Sequence, residues 1–76
     1  MEWEIEIDAV GLKCPLPVLR LRKRLEEVDT GGVVRLLASD PMAAVDVPHF
    51  CAEAGHVFLG TEEARAGMAY LVRKGP

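Results

Sequence analysis

Nowhere does this chain hold the roughly 20 consecutive apolar residues that a membrane-spanning helix requires. Its first residues, Met1-Glu2-Trp3-Glu4, lack the basic start and apolar stretch of a secretory signal, so a cytoplasmic location is expected. Cysteine occurs only twice, at Cys14 and Cys51, and in a compartment that keeps thiols reduced the pair is not expected to form a structural disulfide. Histidine is equally scarce. The spacing of His49, Cys51 and His56 fits no common zinc pattern, so no metal is expected, and nothing else in the sequence asks for a cofactor. An excess of positive charge is missing too. The net charge of -3, with no aromatic stacking residues on a basic strand, argues against direct nucleic-acid binding. Asn and Gln are absent and Arg outnumbers Lys, a usage that fits either heat adaptation or genome composition. Aromatic residues make up 5% of the chain, so the core must be built from Val, Leu, Ile and Ala.

Apolar residues account for half of the sequence, which is too much for a disordered chain. A length of 76 residues supports a single domain, 1–76, and a core that small is marginal unless simple and well packed. From Glu2 to Asp8 the chain alternates: Trp3, Ile5 and Ile7 point one way, the four acids the other, as in a strand with one wet face. After Gly11 the period changes. Val18, Leu21, Leu25 and Val28 follow helical spacing, with Leu19 widening the stripe, and Thr30-Gly31-Gly32 ends the helix. Val33 to Ser39 is apolar on both faces except at Arg35, as a central strand should be. Asp40-Pro41 reads as a cap and first position of a second helix, which carries Ala43, Val47, Phe50, Cys51 and Ala54 on one face. Pro48 should kink that helix or delay its start, and Gly55 should end it. His56 to Thr61 and Met68 to Arg73 read as two further strands, joined by a charged loop around Glu62, Glu63 and Arg65.

The order strand, helix, strand, helix, strand, strand, with right-handed crossovers, gives an α/β (α+β) two-layer sandwich: a four-stranded mixed sheet with both helices on one face. Strand order is not legible in the pattern. A monomer is the simplest expectation. Apolar residues on both faces of the later strands (Leu37, Phe58, Leu71) leave room for a weak dimer or a partner surface.

Cys14 falls in the turn between the first strand and first helix, within Cys14-Pro15-Leu16-Pro17. Placed as the capping residue, with Pro15 at the first helical position and Pro17 two residues on, its sulfur would face the free amide of Leu16. The helix dipole and the charge of Lys13 would then favour thiolate over thiol. A disulfide oxidoreductase would want a second cysteine where Pro17 stands. A cysteine hydrolase would want a histidine beside the thiol, and His49 and His56 are distant in sequence. A group carrier needs neither, and a resolving thiol nearby would discharge it. Cys51 lies on the apolar stripe beside Phe50 and reads as structural. Five of the nine basic residues fall between positions 13 and 24, and Arg20, Lys23 and Arg24 are candidates for steering an acidic partner surface.

The run Asp8-Ala9-Val10-Gly11-Leu12-Lys13-Cys14-Pro15-Leu16-Pro17-Val18 resembles the signature of the TusA/SirA-like family of sulfur-carrier proteins. The similarity extends over nearly the whole chain, through the Asp40-Pro41 step, the Gly55-His56 turn and the closing strand. The resemblance implies that Cys14 takes sulfur as a persulfide from a cysteine desulfurase and gives it to a downstream acceptor protein. In such families the relay serves tRNA thiolation, other thio-cofactor pathways or sulfur oxidation. Gly11, Lys13, Pro15, Leu16, Pro17 and Asp40 match family positions around the thiol and are carried over as accessory residues. The activity would be that of a persulfide-forming carrier more than of a stand-alone turnover enzyme. Two other readings stay open on the residues alone: a non-catalytic regulatory or binding module, and a redox sensor that oxidises Cys14 to a sulfenic acid.

Overall fold

The computed structural model describes residues 2–76. Its elements follow the expected order: β1 (Ile5–Ala9), α1 (Leu16–Leu25), β2 (Val33–Ala38), α2 (Ala43–Ala54), β3 (Val57–Ala64) and β4 (Gly67–Arg73). They form one four-stranded sheet in the order β1-β2-β4-β3. β1 and β2 are parallel, whereas β4 runs antiparallel to both β2 and β3. The sandwich is therefore mixed and two-layered. The apolar β2 takes the interior place its composition required.

Register explains which residues meet the helices. Ile7 pairs with Leu36, and Leu36 with Tyr70; Val34 pairs with Val72. These rows are buried and join Leu21, Leu25, Ala43, Val47, Phe50 and Cys51 from the helices in one core. Fully burying a side chain of this kind stabilises the fold by about 1.5–3 kcal/mol. The opposite face keeps Glu6 and Asp8 exposed, as the alternation required. There Arg35 bonds to Glu6 and lies 3.5 Å from Glu62, and Leu71 beside it is only 2% exposed. Of the three residues expected to leave an apolar surface, Leu71 is thus closed off, while Leu37 and Phe58 are half-buried.

Several boundaries differ from expectation, each for a local reason. Trp3 precedes the strand and is 43% exposed, because pairing with β2 begins at Ile5. α1 ends at Leu25, ahead of the glycines; Val28 is buried from the following turn, and Leu19 faces solvent. The glycines serve the return to β2: a Cβ at Gly32 would collide with Val28 and Glu4 side chains. α2 starts at Ala43 and runs through Pro48, which forgoes the amide that would bond the carbonyl of Ala44. Gly55 closes α2 in the left-handed region at φ +82°, as expected of a residue past a helix end. Glu62 and Glu63 lie within β3, and the hairpin turn is Arg65-Ala66 alone. That tight turn needs Gly67, whose φ is +112° and where a Cβ would stand 2.3 Å from the carbonyl oxygen of Ala38.

Candidate functional site

The loop between β1 and α1 is tied to the loop between β2 and α2 by side-chain oxygens. The amide of Gly11 donates to Ser39 Oγ (2.8 Å) and the amide of Cys14 donates to Asp40 Oδ2 (2.8 Å). The other carboxylate oxygen of Asp40 accepts from the amide of Met42 at 3.0 Å. Asp40 therefore does not cap α2 from the adjacent position. α2 begins two residues later than Pro41, with Met42 at its boundary. The carboxylate instead bridges the entry of α2 to the backbone of Cys14, which gives it a direct part in placing the thiol. Those two amide donors, with Lys13 nearby, hold its carboxyl below the usual range.

Cys14 is exposed, as expected of a reacting thiol, but it does not cap α1. The peptide before Pro15 is cis, Pro15 occupies the boundary position, and no side chain caps the helix. The amide of Leu16 is already taken by the carbonyl of Lys13 at 2.8 Å. Pro17, buried in the first turn, has no amide to give. The sulfur finds a different partner: Cys14 Sγ donates to Asp46 Oδ2 on the first turn of α2, at 2.8 Å. The expected activation is thereby reversed. The Cys14 thiol is pushed up, first by that hydrogen bond to Asp46, then by desolvation, then by the charges of Asp46 and Asp40. The two carboxylates act in the direction opposite to that expected from Lys13 and the helix terminus.

Beside the thiol a cleft of about 180 Å³ opens between α1 and α2. Pro15, Val18 and Phe50 provide apolar wall; Arg22, Asp46, His49 and Glu53 provide charge. The Arg22 guanidinium lies 5.4 Å from the Phe50 ring centre, and His49 Nε2 is 3.1 Å from Glu53 Oε1. Of these polar residues the sequence draws attention only to His49, which is distant from Cys14 in sequence but lines the same cleft. A signal is present all the same: Asp46, His49, Phe50 and Glu53 are spaced as one side of a helix, next to the buried stripe.

The basic residues expected at a docking surface lie elsewhere. Arg20, Lys23 and Arg24 line a separate hollow with Glu6 and Asp8; Arg20 donates to the carbonyl of Asp8 at 2.9 Å, and Arg24 pairs with Glu27. Beyond the charged cleft, exposed apolar side chains also stand near the Cys14 loop. Val10, Leu16, Leu19, Met42 and Val45 all stand on the loops and first helical turns that meet at Cys14. Cys51 is 2% exposed within the core, with its thiol pushed up to about 11 by burial, and it does not approach the surface with His49. Among the described residues no group of three or more His, Cys, Asp or Glu is arranged to hold a metal ion, and no helix is long and apolar enough to cross a membrane.

Comparison with known proteins places this geometry. The family described as "Sulfurtransferase TusA" matches residues 5–74. The chain is 43% identical over 68 residues to "Sulfur carrier protein TusA" of Pseudomonas entomophila, covering 90% of this chain and 85% of that protein. It is 35% identical over 71 residues to the protein of the same name from Pseudomonas syringae pv. syringae, covering 93% and 84% respectively. Among solved structures it is similar to a SirA-like protein from Desulfitobacterium hafniense, with a TM-score of 0.75, 29% identity, and coverage of 96% of this chain and all of that one.

Proposed function

The chain belongs to the TusA family of sulfur carriers, and from that premise we propose that Cys14 is the carrying atom, loaded as a persulfide by a cysteine desulfurase and unloaded by a downstream acceptor protein. In the loading step Cys14 sulfur attacks the outer sulfur of the donor's persulfide. A sulfur–sulfur bond forms at Cys14, the donor's own sulfur–sulfur bond breaks, and the donor cysteine leaves as a thiolate that takes up the proton Cys14 gave up. Unloading is the same exchange in reverse sense, with the acceptor's nucleophile attacking the outer sulfur. No net oxidation occurs. The acceptor pathway is tRNA thiolation or a related sulfur transfer.

One observation carries this reading: Cys14 is exposed on a loop fastened by Asp40, while Cys51, the only other cysteine, is sealed in the core. A persulfide at Cys14 has no neighbouring thiol to discharge it. Pro15 and Pro17 restrict the backbone beside the sulfur, and Gly11 at φ +86° lets the preceding turn close. Leu16, with Val10, Leu19, Met42 and Val45, gives a partner an apolar seat around the sulfur. Arg20, Lys23 and Arg24 act farther out, steering acidic partner surfaces during approach.

The test is direct. After incubation with a cysteine desulfurase and free cysteine, intact mass should show one added sulfur, removed by a reductant and absent from Cys14→Ser. A chain that gains no sulfur from any desulfurase of the same cell is not loaded this way.

A further inference from the structure

The carboxylate of Asp46 meets the sulfur that the carrier reading uses, yet neither loading nor unloading as written above requires it. We propose that Asp46 biases Cys14 toward its empty, protonated state, guarding the idle thiol and favouring release of the sulfur it carries. This rests on the carrier reading for its second half and on geometry alone for its first.

Cys14 Sγ donates to Asp46 Oδ2 at 2.8 Å. This bond exists only while the sulfur carries its proton. Ionising Cys14 breaks it and sets an anion against a carboxylate, with Asp40 bound to the same residue's amide. The empty thiol is thus kept from alkylating and oxidising agents, whose target is the thiolate. A persulfide is a stronger acid than its parent thiol, so loading replaces a hydrogen-bonding neutral group with an anion beside the same two carboxylates. Like charges at this range raise the free energy of the loaded state. The hydrogen bond lowers that of the empty one. Both effects have one sign: sulfur is held less firmly than it would be on an isolated cysteine. The upward push on the Cys14 thiol agrees with the first half.

The other charged groups around the sulfur fit this assignment. Lys13, on the same loop, registers on Asp40. Arg22 of α1 and His49 of α2 line the same cleft as Cys14, Arg22 over the Phe50 ring and His49 paired with Glu53. Among the described residues, Asp46 alone supplies a side-chain hydrogen bond to the sulfur.

The experiment compares wild type, Asp46→Asn and Asp46→Glu. The first readout is the rate of iodoacetamide modification of Cys14 against pH, which needs no sulfur donor. Asp46→Asn should move the midpoint to lower pH and speed modification at neutral pH. A tenfold gain in thiolate, offset by the weaker nucleophilicity of a more acidic thiol, leaves about a threefold gain in rate for each unit the midpoint falls. Asp46→Glu, which keeps the charge, should stay near wild type; a merely loosened loop would shift both variants alike. The second readout is the loaded fraction at equilibrium with glutathione persulfide and glutathione, by intact mass. It should rise severalfold in Asp46→Asn and not in Asp46→Glu. An unchanged midpoint in Asp46→Asn overturns the proposal, as does a fall of equal size in Asp46→Glu. Should Asp46→Asn fail to fold, wild type still decides: its midpoint must lie above that of the peptide Leu12–Leu16, and a midpoint at or below the peptide's overturns the guard. If the midpoints behave as expected and no variant ever takes up sulfur, it is the carrier reading that fails and not the proton bias.

Discussion

Changing each cysteine to serine should produce opposite results, because burial alone separates the two sites. Cys51 is 2% exposed, packed with Val47 and Phe50 of its own helix and the sheet residues beneath. A hydroxyl placed there is a stronger donor than the thiol it replaces and has little to bond. Leaving it unsatisfied costs about 1–3 kcal/mol. A back-bond to the carbonyl four residues earlier, that of Val47, would bring the cost toward the lower end. A chain of this size has a total stability of about 4–11 kcal/mol. For a domain of 60–100 residues each kcal/mol lowers the melting temperature by about 4–8 °C, so Cys51→Ser should melt roughly 5–20 °C below wild type. Held well below that temperature it should still gain one sulfur from the desulfurase. Cys14→Ser should do the reverse. Its side chain is exposed, and a serine oxygen can still donate to Asp46, so melting should be essentially unchanged while sulfur uptake disappears. Circular dichroism on heating and intact mass after loading read the two effects separately. A Cys51→Ser chain that melts with wild type would refute the burial argument. One that stays folded yet takes up no sulfur would refute the assignment of carrying to Cys14 alone.

Two further outcomes follow from the same features. Burial raises the Cys51 thiol from 9.0 to about 11, so the unfolded chain releases that proton at lower pH than the folded one. The contribution is fully present below about pH 9 and is lost as pH rises toward 11; urea midpoints measured across that window should fall with pH, and the part due to Cys51 should vanish in Cys51→Ala. Reversing Arg20, Lys23 and Arg24 to Glu together should slow sulfur loading by about tenfold at low ionic strength, a gap that salt narrows, and leave iodoacetamide modification of Cys14 unchanged. An equal loss in small-reagent reactivity would remove the case for steering.

The fold was largely legible because its pattern is redundant. The run Val33–Ala38 could only be an interior strand, and the stripe of Ala43, Val47, Phe50 and Cys51 could only face a sheet. Boundaries were less so, since they depend on partners that a local pattern does not contain. Trp3 continues the alternation of β1 perfectly but has no strand opposite it. Glu62 and Glu63 look like loop residues by charge, yet β4 supplies backbone partners for both, and Glu62 reaches Arg35. In each case hydrogen bonding across the sheet overrode a local preference.

The site shows the same limit in its chemistry. Cys14 was legible from its own surroundings: a turn position, two prolines and no second cysteine nearby. Its protonation was not, because the groups that decide it arrive from 26 and 32 residues away, as Asp40 and Asp46. Judged by neighbours in sequence, Lys13 and a helix terminus predict an activated thiolate; judged by neighbours in space, two acids reverse the sign. The sequence suggests Asp40 as a helix cap and, by resemblance, as a residue near the thiol, but not the bond from the Cys14 amide to its second oxygen. Asp46 lies on the first turn of α2, where an acid is ordinarily explained by the helix dipole and attracts no attention. The prolines then take on another meaning. They are not needed to aim a thiolate at a helix terminus that Pro15 itself occupies. Their rings restrict the backbone around the sulfur, so that it stays within reach of a carboxylate on the opposite helix. A carrier is served by that arrangement more than by a sharpened nucleophile, since it must remain unreactive between partners and must let go of its sulfur as readily as it accepts it.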